Sequence, residues 1–402
     1  MSTAAVLNLG NVALSRKEDF RAYAEAPRRT QPEGLTRVQL GALSAEARGE
    51  YDMLRRGWHA NIGPIRTPQL AELHEDLWDI ADSNLQDGDK AKGAVAVDAF
   101  PGLGKTTSVL AFAREFHRRE VAEKGQYTDQ GNERWPVCRV GLTGNTGMKD
   151  LNRSILEFFG HPGRNRGTTT QLGQWALDCV LSCEVKLLAL DDLHFLKWNE
   201  KNGIEVSNHL KWIANEFPVT LLLIGVGLAD KGLFSEGDAR RDEALAQTGR
   251  RTTRLGMRPF TIESEEGRRE WRAMLLALEQ RVVLADKHSG MLADELSDYL
   301  FARSTGHIGS LMTLINRGCQ RAVRTGAERL SRDLLDRVRN DEASEAARLE
   351  LEAALEKRRL TSRPRSRRHG AAWPIPSGLC LSGSHRYPQR LSTPGWKPWP
   401  PA

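Results

Sequence analysis

The sequence predicts an α/β fold: a five-stranded parallel sheet with helices on both faces, followed by a small all-helical domain. Three observations carry this. Between residues 91 and 260, short apolar runs alternate with segments of helical spacing, as strands joined by crossover helices do. The stretch "AVDAFPGLGKTTSV" at 96–109 sets a glycine-rich turn between a strand and a helix. After Phe260 the strand signals stop, and residues 264–340 read as helices alone.

Taken in order, residues 1–35 are mixed and polar, with "APRRTQPEG" reading as loop, and are expected to be flexible. Residues 36–90 turn periodic and read as a helical segment, in which Thr67 is an N-cap and Pro68 takes the first helical position. The sheet domain spans 91–260, with strands expected at 94–100, 136–142, 185–192, 219–227 and 252–260. The helix after the glycine turn carries Val109, Leu110, Phe112 and Phe116 on one stripe. The small helical domain covers 261–340. Residues 331–359, from Ser331 as cap, read as one more long helix, and 341–360 are set apart as the C-terminal helix. Residues 361–402, rich in Pro, Gly, Ser and Arg without periodicity, are expected to be disordered.

With 402 residues, 40% hydrophobic and 27% charged, the composition is that of an ordinary soluble protein with room for a sizeable core. The densest apolar run, "VTLLLIGVGL" at 219–228, is too short to span a bilayer and reads as a buried strand. No basic stretch precedes the mild apolar run at the N-terminus, so a secretory signal is not expected and the cytoplasm is. The five cysteines form no CxxC pair of the zinc or redox type; Cys179 and Cys183 read as two small buried residues on one helix face. The net charge of +6 is unevenly spread. Residues 357–402 hold ten Lys and Arg and no acid, which leaves the first 356 residues with 48 basic and 52 acidic side chains, a net of −4. Charge therefore argues for nucleic acid binding by the tail and only weakly by the body.

The loop pattern G-x-x-x-x-G-K-[ST] appears as Ala99, Phe100, Pro101, Gly102, Leu103, Gly104, Lys105 and Thr106, with Thr107 next. Such a loop curls backbone N–H groups round a β-phosphate, aims a helix N-terminus at it, brings a lysine to the β and γ oxygens and sets a hydroxyl on Mg²⁺. Alanine replaces the first glycine, which asks only that residue 99 keep an ordinary backbone conformation. A magnesium nucleotide also needs a carboxylate at the end of a neighbouring buried strand. "VKLLALDD" supplies Asp191 to orient the hydrated metal and Asp192 to polarise the attacking water. Asp192 is one methylene shorter than the glutamate usual for that step, so binding is expected more firmly than fast turnover. "AQTGRRTTRL" offers Arg250 and Arg251 as charge arriving at the γ-phosphate from a neighbouring subunit, or as solvated loop charges. At the end of the fourth strand Gly225 and Gly227 stand where a polar residue would sense the γ-phosphate.

With these parts in order, the chain resembles the AAA+ ATPases, and more narrowly the ATP-binding subunits of transposition systems, the TniB/TnsC type. The resemblance covers roughly residues 45–340: "YDMLRRGWHANIGPIRTPQ" ahead of the sheet, "VGLTGNTGMKDLNRSILEFFG" at the second strand, "ALDDLHFL" and "NHLKWIANEFPVTLLLIGVG" at the third and fourth, and "REWRAMLLALEQRVVL" with "STGHIGSLMTLINRGCQRAVRTGAERLS" in the lid. It implies a P-loop NTPase sheet with a helical lid, ATP and Mg²⁺ as cofactors, and a homo-oligomeric ring or filament on double-stranded DNA that recruits or activates a transposase or integrase. It assigns Lys105 and Thr106 to phosphate and metal, Asp191 to Mg²⁺, Asp192 to the water, and Arg250 or Arg251 to the arginine in trans. Where many AAA+ lids carry an arginine in G-x-x-R, this chain has Gly306, His307, Ile308 and Gly309, so His307 reads as a nucleotide neighbour or a helix-start residue. Lys197, Lys201, Lys211 and the arginines of 250–254 are DNA candidates by position. Trp198, between the first two, suits backbone contact or packing on its own domain. Two other readings remain: a nucleotide-switched scaffold with little hydrolysis, and a regulatory NTPase acting on protein without DNA.

Overall fold

A computed structural model describes residues 9–86, 92–144, 146–195, 202–228, 251–357 and 359–364. The chain opens with helix α1 (Lys17–Glu25), inside the segment expected to be flexible. That expectation is corrected by packing. Phe20 and Ala24 are fully buried in the sheet core. Arg118 donates to the Ala24 and Ala26 carbonyls at 2.6 and 2.5 Å, and the Arg21 guanidinium lies 3.8 Å from the centroid of the Trp135 ring. Helices α2 (Arg37–Gly41), α3 (Ala45–Ala60) and α4 (Pro68–Ser83) follow. Each starts on a side-chain cap, Thr36, Ser44 and Thr67, that accepts from a backbone amide of the first turn.

Five strands, β1 (Ala94–Asp98), β2 (Val137–Gly141), β3 (Leu187–Asp191), β4 (Thr220–Gly225) and β5 (Thr252–Gly256), form one sheet in the order β2-β3-β4-β1-β5. All four pairings are parallel. Strands β1, β3 and β4 are buried at every residue, as runs covered by helices on both faces must be. The crossovers are α5 (Lys105–Lys124), α6 (Met148–Phe158) with α7 (Thr169–Ser182), and α8 (Asn202–Glu216). Because the strands are parallel, Asp98, Gly141, Asp191 and Gly225 all finish at one edge of the sheet. Strand β5 stops four residues before its expected end at 260. Past Gly256 the chain leaves the sheet, and the Phe260 amide donates instead to the carbonyl of Gly306.

Helices α9 (Glu265–Arg281), α10 (Ser297–Ser304), α11 (Ile308–Thr325), α12 (Arg332–Asp336) and α13 (Glu342–Glu356) gather a second core around Trp271, Leu275, Leu300 and Leu314. The single helix expected over 331–359 is two. Buried Arg303 donates to the carbonyls of Leu335 and Val338 and to Glu345, which turns the chain there, and Asp341 caps α13 through the Ser344 amide. The expected disordered tail begins too early at 361. Ser362 is buried, its amide and hydroxyl donating to Asp298; residues from 365 onward lie outside the described residues. Among the described residues no helix is long and apolar enough to cross a membrane.

Candidate nucleotide site

Between β1 and α5 the chain makes the tight loop that the sequence motif requires. Gly102 and Gly104 have φ of +78° and +82°, a region that L side chains avoid, and Gly104 caps α5. Ala99 is not among the residues of positive φ; it is buried, and its amide points to the Gly225 carbonyl at 3.4 Å. Leu103 anchors the loop in the interior, while Phe100 stands 71% exposed beside Pro101. The Lys105 ammonium donates to the carbonyls of Ala99 and Phe100 at 2.8 and 2.9 Å, folded back under the loop. Burial pulls its pKa below the usual lysine value, against the opposing charges of Asp98, Asp191 and Asp192.

Asp191 ends β3 facing this loop. Its Oδ1 accepts from Thr106 Oγ1 at 3.3 Å and from the Asp192 amide at 3.1 Å. Thr106 and Asp191 are thus brought together across 85 residues of sequence, as two hard oxygen donors that fit a hydrated Mg²⁺. Asp192 adopts the left-handed region at φ +59°, which turns the chain off the strand end. Two partners in this charge layer were missed by the sequence reading. Arg139 on β2 donates to Asp191 Oδ2 at 2.7 Å, and Arg254 on β5 pairs with buried Asp98 at 3.2 Å. A positive charge inside a strand whose valines and cysteine are buried was the available signal for Arg139.

Of the two predicted trans arginines, Arg251 does not reach this loop within the chain. Arg250 lies outside the described residues. Arg251 donates to Asn215 Oδ1 at 2.7 Å and sits just before Thr252, which pairs with Ala94 at the opposite end of β1 from Asp98. At the end of β4, Gly225 leaves space that Leu228 fills, since a Cβ there would come within 2.5 Å of the leucine Cδ2. A side chain at residue 225 would therefore require Leu228 to move.

The lid touches the loop through its backbone. The Gly309 amide donates to the Gly102 carbonyl at 2.8 Å, and a Cβ on Gly309 would stand 2.7 Å from that oxygen. His307 takes the N-cap position of α11, with its ring packed near Gly102 and its Nδ1 2.9 Å from Thr305 Oγ1. Between the lid, the loop and the segment ahead of α4 lies a cavity of about 320 Å³. Its apolar walls include Ile62, Ile65, Leu70, Leu103 and Ile308, and its polar groups include Thr107 and Asn316. That is the size and character of a small-molecule pocket, and it opens beside Gly104.

Residues 88–231 match the model of the AAA domain family. No curated protein matches the chain. Among solved structures, the ORC1 protein of Aeropyrum pernix in complex with DNA is 17% identical, with a TM-score of 0.50 over 75% of this chain and 70% of that one. The ORC2 protein of the same organism is 16% identical, with a TM-score of 0.49 over 75% and 72%. The five parallel strands, the glycine loop leading into α5, the strand-end aspartate and the helical region after the sheet, together with the AAA match over residues 88–231, give this chain the P-loop AAA+ fold.

Proposed function

We propose that the chain binds and slowly hydrolyses ATP with Mg²⁺, and that it assembles on double-stranded DNA under the control of that nucleotide as a transposition helper, selecting targets or activating a transposase or integrase. The observation that supports it best is convergence. The strand-end carboxylate and the lid each lie within hydrogen-bond distance of the phosphate loop or the first turn of α5, and the loop borders a cavity large enough for a base and ribose.

The residues fit the nucleotide. The amides of residues 102–107 and the N-terminus of α5 would hold the phosphates, with Pro101 shaping the loop, and Lys105, now satisfied by two carbonyls, would extend to the β and γ oxygens. Thr106 and Asp191 would hold the metal, which supplies neutralisation of phosphate charge. Asp192 would orient the attacking water. Arg250 or Arg251 would complete the site of a neighbouring copy in a ring or filament, a role that the position of Arg251 away from its own loop allows. A second reading, a nucleotide-switched scaffold with little turnover, is favoured by one observation, the packing of Leu228 over Gly225. The DNA and transposase roles rest on the TniB/TnsC resemblance, with Lys211 and Arg254 as candidate phosphate contacts. The ORC1 structure that shares this fold was solved with DNA.

The test is fluorescence anisotropy on random duplex DNA at two salt concentrations, with Mg-ATP, Mg-ADP and no nucleotide. Tight binding with ATP alone is expected, lost in Lys105→Ala, whose ATP affinity should fall by at least about tenfold while its melting temperature holds. Binding that ignores nucleotide and vanishes on removal of residues 357–402 would leave the DNA role to the basic tail and sink the proposal.

A further inference from the structure

Asp191 uses its two oxygens differently. Oδ1 faces the phosphate loop and accepts from Thr106 and the Asp192 amide, while Oδ2 takes the shorter bond, 2.7 Å, from Arg139 Nη2. Arg139 belongs to β2, the strand outside β3, and its side chain runs along that strand to the sheet edge where the loop lies. A Cβ on Gly141 would meet Arg139 Nη1 at 3.4 Å, an ordinary contact that places the guanidinium over the strand end. The aspartate side chain is 3% exposed and the arginine 18%, so water screens this pair only weakly.

We propose that Arg139 is a counter-ion that sets the order of loading: it stops Asp191 from holding a divalent cation alone, so that the metal enters with the nucleotide's phosphates. This rests on the reading of Thr106 and Asp191 as the magnesium site. Two consequences of removing the guanidinium oppose each other. The carboxylate gains freedom about its broad terminal torsion, which weakens a metal site, and the metal loses a nearby like charge, which strengthens it. The second effect is larger. Repulsion acts on a doubly charged ion in a poorly screened place, whereas Oδ1 keeps its bonds from Thr106 and Asp192 and turns little. Among the described residues no group of three His, Cys, Asp or Glu side chains is placed to cage a metal, which fits a cation whose remaining ligands come from phosphate and water.

The experiment follows free Mn²⁺ by electron paramagnetic resonance with the full chain, without nucleotide and with a non-hydrolysable ATP analogue, for wild type, Arg139→Gln and Arg139→Lys. Wild type without nucleotide should leave Mn²⁺ free at concentrations that fill the analogue complex. Arg139→Gln should bind Mn²⁺ about tenfold more tightly in that complex, and Arg139→Lys should stay near wild type. Analogue affinity in EDTA should be the same in all three. Unchanged or weaker Mn²⁺ binding by Arg139→Gln with normal analogue affinity in EDTA would overturn the proposal. So would a tight Mn²⁺ site in nucleotide-free wild type that Asp191→Asn removes, a result that needs no folded Arg139 variant. A wild type that binds the analogue neither with Mg²⁺ nor in EDTA would remove the phosphate-loop reading itself, and this proposal with it.

Discussion

Ala99 shows how much a motif depends on backbone angles rather than on letters. The two loop positions that need φ above zero are 102 and 104, both glycine, and position 99 packs an ordinary alanine against the end of β4. At residue 225, where a polar residue was looked for, Leu228 fills the space that a side chain would need. Histidine 59 carries a residue-scale prediction about pH. It is buried, its Nε2 accepts from the Val283 amide at 2.9 Å, and burial, aided by the charge of Arg55, lowers its pKa from 6.5 to about 4. A histidine held neutral in the folded state adds nothing above its unfolded pKa. As pH falls below about 6.5 the unfolded chain takes up a proton that the native state refuses, so stability drops until about pH 4, by about 3 kcal/mol in all for this one group. His209, also lowered to about 4 by burial, acts in the same direction. Urea unfolding of wild type and His59→Gln at pH 7.5, 6, 5 and 4.5 checks this: the stability gap between them should move in favour of the variant as pH falls. A gap that stays constant across the series would show that His59 does not titrate on unfolding.

Helix α11 is the element whose role was least visible beforehand. The sequence offers glycine at 309 where a lid arginine was sought, and leaves His307 as a nucleotide neighbour or a helix-start residue. The structure supplies a link made of main chain, an amide to a carbonyl at 2.8 Å, which no pattern of side chains can announce. Glycine at 309 is required by that close approach, since a Cβ would stand 2.7 Å from the Gly102 oxygen. Gly309→Ala should therefore push α11 off the loop and weaken ATP binding several-fold, with a stability loss of about 1–3 kcal/mol from overpacking. Titration with a fluorescent ATP analogue and a melt of the same variant separate the two effects, and unaltered affinity would mean that the lid contact is idle. The contrast with the strands is instructive. Each of β1 to β5 falls within its expected range, and β1, β3 and β4 were plainest because strands buried on both faces are nearly continuous apolar runs that turn residues punctuate. Residues Lys105, Thr106 and Asp191 were legible for a related reason, as their chemistry fixes both type and spacing. Helix α1, the break at 337–341 and Arg139 were not, because tertiary partners decide them: the core around Phe20, the grip of Arg303, and Asp191 across two strands.

At the scale of the molecule, the cavity is walled by four parts of the chain: residues between His59 and Leu70, the phosphate loop with the start of α5, residues 257–260 after β5, and the first turns of α11. Their mutual placement depends on α3, which leads into the first wall and is fastened to the lid by a buried charge pair. Arg55 and Glu328, each with a side chain 1% exposed, meet through two bonds of 2.6 Å. Glu328 also accepts from the Ala285 amide and from Arg48, and Arg55 from the other side donates to Asp52. Such a pair contributes less when intact than it costs when one partner is removed, because a lone buried guanidinium has no water to turn to. Glu328→Gln should thus lower stability by about 3–5 kcal/mol, far more than loss of a surface ion pair. Since the pair also holds the cavity walls in register, the variant should bind ATP more weakly than wild type even where it is fully folded. Saturating nucleotide at about a hundred times its Kd should raise wild-type stability by about 2.7 kcal/mol, and the variant by less at the same concentration. Calorimetric melts of both proteins with and without ATP measure the two numbers together. A Glu328→Gln protein that is destabilised yet shows the full nucleotide shift would confine the pair to stability, and one that melts with wild type would mean that Asp52 alone neutralises Arg55.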